Sequence, residues 1–232
     1  MPHTTVSTIA IVDDNQIDVV PLETIDFARL VAKESREIAK LLRAAESSGF
    51  FYLDFRNDST KHLLEDLPEV YVLSERYFDQ SHEVEMMDYR EGQPESQDCG
   101  YKKSDCDETF EGLSTTLRFF TSLQIPNNLT LKLDDANRFE RHHRKGESSN
   151  SSNSGLKLIY EPSLSKLANM GVCRAIPGCG LVNVADSLQR LSGNRLHSPL
   201  HRVTQRYDGA AKRYSISYFL RPEHATKEAW GD

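Results

Sequence analysis

The sequence predicts an α+β fold: N-terminal helices packed on a β core of the antiparallel-barrel or jelly-roll kind. Three observations predict it. Apolar residues recur at helical spacing early in the chain, the period changes abruptly at "FFYLDF", and the last third reads as short apolar strands punctuated by turns.

The elements follow in order. After Ile25–Asp26–Phe27, residues Leu30, Val31, Ile38, Leu41, Leu42 and Ala45 recur at three- and four-residue spacings, which makes one apolar stripe on one helix. Ser47–Ser48–Gly49 ends it, with Gly49 suited to a left-handed C-terminal cap. The aromatic run at 50–55 is a strand. A second helical region covers about 60–80, with Leu63, Leu64, Leu67, Val70, Leu73 and Tyr77 inward and Pro68 at a kink or turn. Residues 81–111 are acidic and show little periodicity. "GESSNSSNSG", 146–155, is too polar to bury a core. From 156 onward, "LKLIY", "GLVNVAD", "RLHSPLHRVTQ" and "RYSISYF" read as strands, separated by Pro-Gly at 177–178, Ser-Gly-Asn at 192–194 and Asp-Gly at 208–209. Strands at this spacing suit an antiparallel barrel or jelly roll. The chain accordingly divides into an N-terminal region 1–111, a connecting segment 112–154 and a C-terminal β core 155–232.

Composition narrows the function. With 38% hydrophobic and 27% charged residues in 232, the chain is long enough for a sizeable core. A formal charge of −7 argues against a general nucleic-acid binder. The charge is uneven: residues 56–111 carry sixteen acids and six bases, and 155–232 carry six acids and eleven bases. A basic C-terminal third could attract a small anion, although a solvated mixed-charge face is the simpler account. No secretory or membrane-spanning pattern is present, and the four cysteines form no C-x-x-C pair. The expectation is a cytoplasmic, monomeric protein with reduced thiols, a small-molecule substrate, and neither nucleic acid nor membrane as a partner.

The chemistry concentrates near the C-terminus. If "SPLHRVTQ" and "KRYSISYF" are strands joined around Asp208–Gly209, alternation puts Arg213, Ser215, Ser217 and Phe219 on one face and Tyr214, Ile216 and Tyr218 on the other. A guanidinium beside a hydroxyl can grip a carboxylate through a bidentate pair and one further donor. His201 on the neighbouring strand could offer a ring nitrogen to a metal. On spacing alone, a polar-faced edge hairpin with a surface histidine is the simpler reading.

The region "IPGCGLVNVADSLQRLSGNRLHSPLHRVTQ…RYSISYFLRPE" closely resembles the C-terminal core of the isopenicillin N synthase-like family of 2-oxoglutarate- and iron(II)-dependent oxygenases. That core reads P-x-P-G, (V/I)N-x-(A/G)D-x-L, a small turn, S-x-x-HRV and R-x-S-x-x-(Y/F)-F-x-x-P. Weaker matches run in family order at "IDF" 25–27, "GFFYL" 49–53, "GYK" 100–102, "FERHHR" 139–144 and "LKLIYEP" 156–162, and fungal members look nearest. The resemblance implies a dioxygenase that oxidises a small organic molecule in fungal secondary metabolism, with Fe(II) and 2-oxoglutarate bound. It makes His201 the second iron histidine and Arg213 and Ser215 the clamp for the far carboxylate of 2-oxoglutarate. Tyr160 stands near a family tyrosine that touches the cosubstrate, but the family's Y-P is here Y-E-P.

The resemblance also exposes a gap. The family's other two ligands come from an H-x-D strand, and no H-x-D occurs in the chain. Between Glu161 and Ile176, where it belongs, stands "PSLSKLANMGVCRA". The nearest cluster, Glu140 with His142 and His143, precedes the "LKLIY" strand and reads more simply as a solvated helix end. A second shortfall lies at 125–138. The resemblance implies N-terminal helices packed on a double-stranded β-helix, or jelly-roll, core, and with these gaps that core is expected to be incomplete. Either the gene has lost its iron segment and encodes an inactive relative, or a coding segment has been left out of this polypeptide.

Overall fold

The computed structural model describes residues 8–12, 15–65, 67–89, 100–103, 108–113, 155–162, 173, 175–201 and 212–222. It divides into two compact units that interleave along the sequence.

The first unit begins with an antiparallel pair, β1 (Thr8–Val12) and β2 (Asn15–Val19). A three-stranded sheet follows, in the order β3 (Thr24–Asp26), β4 (Phe50–Asp54) and β8 (Cys179–Asn183). β3 runs parallel to β4, and β4 antiparallel to β8, with Phe50 opposite Asn183 and Asp54 opposite Cys179. Helices α1 (Phe27–Val31) and α2 (Ser35–Ser47) connect β3 to β4. Asp26 caps α1 by accepting the Arg29 N–H at 3.1 Å.

The expected single helix is thus two. Lys33 takes φ 59°, and the N–H groups of Lys33 and Glu34 return to the carbonyls of Leu30 and Arg29, a Schellman-type stop. The break resets the helical phase. Leu30, Ile38, Leu41, Ala44 and Ala45 are buried as the stripe requires, whereas Val31 turns 43% exposed. Phe51, Tyr52 and Leu53 are all buried, so β4 is covered on both faces and centres the core with Ile25, Phe27, Leu30 and Leu41. Glu37, also buried, accepts the backbone N–H of Asp26 at 2.8 Å and ties α2 to the end of β3. The predicted strand "GLVNVAD" ends early, at Asn183, and its last two residues open a helix, Ala185–Leu191, described with the site below.

The second unit is a four-stranded antiparallel sheet in the order β5 (Gly100–Lys103), β6 (Glu108–Leu113), β7 (Gly155–Pro162), β9 (Lys212–Phe219). β7 and β9 pair along their full lengths, with Glu161 opposite Arg213, Tyr160 opposite Tyr214 and Ile159 opposite Ser215. A short 3₁₀ turn at Lys61–Leu64 precedes α3 (Leu67–Phe78) in the chain, and α4 (His82–Glu85) follows α3. Pro68 sits in the first turn of α3, where its missing N–H costs nothing. The inward residues of α3 are Ser74 and Phe78, with Tyr77 half-buried, while Leu73 points outward at 57% exposure. The aromatic pairs explain that rotation: Tyr77 meets Phe110 at 4.6 Å between ring centroids, and Phe78 stacks on Tyr160 at 5.7 Å.

Residues 81–111, expected to be irregular, contain α4, β5 and the start of β6. Strands of four to six residues next to acidic loops carry too little periodicity to be seen without their partners. The connecting segment is outside the described residues beyond Leu113, as is the low-complexity run up to residue 154.

Candidate functional site

In the first unit the site is built around His201. Gly49 has φ +68°, and a Cβ there would lie 2.1 Å from the His197 carbonyl oxygen and 2.6 Å from Pro199 Cδ. Glycine is therefore required by both conformation and space. The end of α2 holds the incoming arm through the His197 N–H to the Ala45 carbonyl, and the Gly49 carbonyl accepts the Val184 N–H, each at 2.9 Å.

The arm is also bound to helix α5 (Ala185–Leu191). Ser198 Oγ donates to Asp186 Oδ1 at 2.6 Å, the Ser198 N–H donates to the Gln189 side chain, and the Leu196 N–H donates to Ser192 Oγ at 3.0 Å. These contacts explain the spacing of the N-x-x-D and S-x-x-H segments: Asp186 fixes Ser198, three residues before His201. Ser198–His201 is not a strand, contrary to the expectation for "SPLHRVTQ". Pro199 supplies no N–H to a ladder, and the polar groups around it are spent on α5 and on the histidine. The rest of that predicted strand, 202–205, lies outside the described residues.

Asn183 closes the arrangement. Its Oδ1 accepts the Ala185 N–H at 3.0 Å, and its Nδ2 lies 3.2 Å from Nε2 and 3.4 Å from Nδ1 of His201. His201 Nδ1 is 3.0 Å from the Pro199 carbonyl oxygen. A carbonyl can only accept, so Nδ1 carries the proton and Nε2 keeps a lone pair, while the amide, almost equidistant from the two nitrogens, rests over the ring face. A backbone carbonyl on one ring nitrogen is the usual way to present the other to a metal. Phe50 packs edge-on to the ring at 5.2 Å, and the ring itself is exposed. Ala185 takes φ 57°, so backbone strain is stored directly beside this junction.

The second unit carries the candidate clamp. β9 covers Lys212–Phe219, the predicted strand, so Arg213 and Ser215 do share a face by alternation. That face also carries Ile159 and Glu161 of β7. The Arg213 Nε lies 3.5 Å from Glu161 Oε2, with the Glu161 side chain 7% exposed and that of Arg213 47%. Arg213 can present its outer edge to a carboxylate, with the Ser215 hydroxyl two residues along.

Tyr160 is not brought to that face. It pairs with Tyr214 across the ladder, and the two rings stack at 5.3 Å while Phe78 covers Tyr160 from α3. One residue in a strand reverses the face, and the Glu161 of Y-E-P takes the side that Arg213 occupies. His201 belongs to the first unit and Arg213 to the second.

His201 fits the part of one iron ligand, but the described residues do not supply a set. Among them no three His, Cys, Asp or Glu side chains gather as a metal site. Glu140, His142 and His143 lie outside the described residues. Sequence reasoning missed the roles of Asn183 and Glu161. Asn183 stands inside the quoted (V/I)N-x-(A/G)D segment and Glu161 at the Y-E-P departure, and those two positions were the available signals.

Comparisons with known proteins bear on the family and the fold. Residues 134–222 match the model of the 2OG-Fe(II) oxygenase superfamily, a span that includes Tyr160, His201, Arg213 and Ser215. The chain is 30% identical over 284 residues to the 2-oxoglutarate-dependent dioxygenase frbH of Dothideomycetidae sp. (strain 11243), covering 93% of this chain and 86% of that protein. It is 26% identical over 276 residues to the 2-oxoglutarate-dependent dioxygenase FG08081 of Gibberella zeae, covering 89% of this chain and 81% of the relative. Since 93% of 232 residues is about 216, roughly 68 aligned positions of the first relative fall opposite gaps in this chain. The second leaves about 70, because 89% of the chain is about 206 residues. Among solved structures, a full-length Neurospora crassa protein in complex with alpha-KG and 5-formyluracil superposes with a TM-score of 0.66 at 17% identity, over 93% of this chain and 88% of that one. That likeness shows the jelly-roll fold. With 30% identity across most of a named dioxygenase, the chain belongs to the 2-oxoglutarate- and iron(II)-dependent dioxygenases.

Proposed function

We propose that this protein, with its missing iron segment restored, oxidises a small organic molecule in fungal secondary metabolism, with Arg213 and Ser215 gripping the far carboxylate of 2-oxoglutarate. The observation that carries the reading is the shared face of Arg213 and Ser215 on β9, in a chain of this family. A guanidinium delivers two parallel N–H donors to a carboxylate, and the neighbouring hydroxyl adds a third. Nε2 of His201 is taken as one iron ligand. We assign the other two to an H-x-D segment missing from this polypeptide between Met170 and Ala175, a reading supported by the roughly 68 relative positions that have no counterpart here. With a single imidazole, no oxidative step is derived for the chain as it stands.

A second reading keeps the carboxylate clamp and dispenses with metal chemistry. The observation in its favour is the absence of any H-x-D from the sequence. We also retain from the sequence a cytoplasmic monomer that works on neither nucleic acid nor membrane, and the division into regions 1–111, 112–154 and 155–232. The clamp is tested by titrating 2-oxoglutarate into wild type, Arg213→Lys and Arg213→Ala. Lysine keeps the charge and loses the fork, so affinity should fall in both variants. Equal affinity in all three removes the clamp.

A further inference from the structure

The Y-E-P departure places a carboxylate where the clamp works. Glu161 stands directly opposite Arg213 in the β7–β9 register, so the two side chains leave the sheet on the same face. The carboxylate is buried and the guanidinium half exposed, with Nε and Oε2 3.5 Å apart. A buried carboxylate keeps its charge where a cation or hydrogen-bond donors face it, and Arg213 is a cation facing this one. Strand pairing does not need the charge: the neighbouring β7 positions Leu158 and Tyr160 pair with Ile216 and Tyr214 through backbone and ring contacts.

We infer that Glu161 is a built-in competitor for the Arg213 clamp, a fixed carboxylate that weakens the binding of any free dicarboxylate there. The inference rests on the assignment of Arg213 and Ser215 as the clamp. An incoming carboxylate meets a guanidinium already partly neutralised along its Nε edge, and it must settle near a second negative charge that cannot leave. Two carboxylates that share one guanidinium in a partly desolvated site oppose each other strongly enough to move a binding constant. A purely structural ion pair makes the opposite forecast: neutralising Glu161 would loosen β9 and weaken binding.

The test uses the full chain without metal, with 2-oxoglutarate as the probe and ligand-observed NMR at low ionic strength as the readout. Glu161→Gln preserves shape and removes charge, and it should bind about tenfold more tightly than wild type. Glu161→Asp retains the charge and should stay close to wild type. The gain should vanish in Glu161→Gln combined with Arg213→Ala. Glu161→Ser, also neutral, carries the same forecast if the glutamine variant does not fold. Equal or weaker binding in the neutral variants overturns the inference. Binding that depends on Arg213 but ignores Glu161 overturns the competitor alone, whereas binding indifferent to Arg213→Ala overturns the clamp beneath it.

Discussion

The side-chain amide nitrogen of Asn183 rests over the His201 ring, 3.2 Å from Nε2 and 3.4 Å from Nδ1, and not along the in-plane lone pair of either nitrogen. The same side chain accepts the N–H of Ala185, a residue at φ 57°. One asparagine thus steadies a strained turn and packs on the candidate ligand, whose tautomer the Pro199 carbonyl sets. Asn183→Ala should lose about 1 kcal/mol of stability from the uncapped N–H. The tautomer should stay as it is, because the Pro199 carbonyl still accepts from Nδ1. Long-range ¹H–¹⁵N spectra of the imidazole check this: Nδ1-protonated in wild type and variant alike. A mixed tautomer in the variant would show that the amide fixes the proton.

Gly49 couples the end of α2 to the arm that carries His201. Gly49→Ala adds a Cβ 2.1 Å from a carbonyl oxygen at φ +68°. The cost should be about 2–4 kcal/mol, combining left-handed strain with overlap that only backbone movement relieves. Chemical denaturation measures it, and a loss under about 0.5 kcal/mol would mean that the arm yields freely.

How far these relationships are legible in the sequence differs by element. The α2 stripe, the aromatic β4 strand and the alternation of β9 are readable because each pattern is local and matches its period. The face shared by Arg213 and Ser215 follows from alternation alone. The stop at Lys33 is hidden because lysine gives no sign of a left-handed φ. Hydrophobicity points Leu73 inward, but the ring contacts of Tyr77 and Phe78 fix how α3 rolls on its sheet. Resemblance puts Tyr160 with the clamp, whereas the register sets it on the opposite face beside Tyr214. Asn183 needs the fold itself, since its partner lies eighteen residues away across a helix.

Alkaline pH should act on the second unit. Burial pushes the phenols of Tyr77, Tyr101 and Tyr214 above their ordinary value, with the Asp88 carboxylate adding to the effect at Tyr77. A raised pKa in the folded state means that the stabilising contribution is complete below the unfolded phenol value, about 10. It is lost progressively as pH climbs beyond that value toward the folded ones. Of the nine tyrosines, these three should ionise only with unfolding when phenolate absorbance is followed. Smooth titration of all nine with native circular dichroism retained would contradict the burial argument.

Arg213 and Ser215 as clamp, His201 as one iron ligand and a missing segment for the other two together form one proposal. Succinate formation from 2-oxoglutarate tests it most directly, measured for the chain as it stands and with the genomic sequence between the codons for Met170 and Ala175 restored. The account predicts no turnover from the first, turnover from the second, and its loss on His201→Ala in the restored form. Turnover by the unrestored chain, or a genome with no intervening sequence at that point, would contradict it.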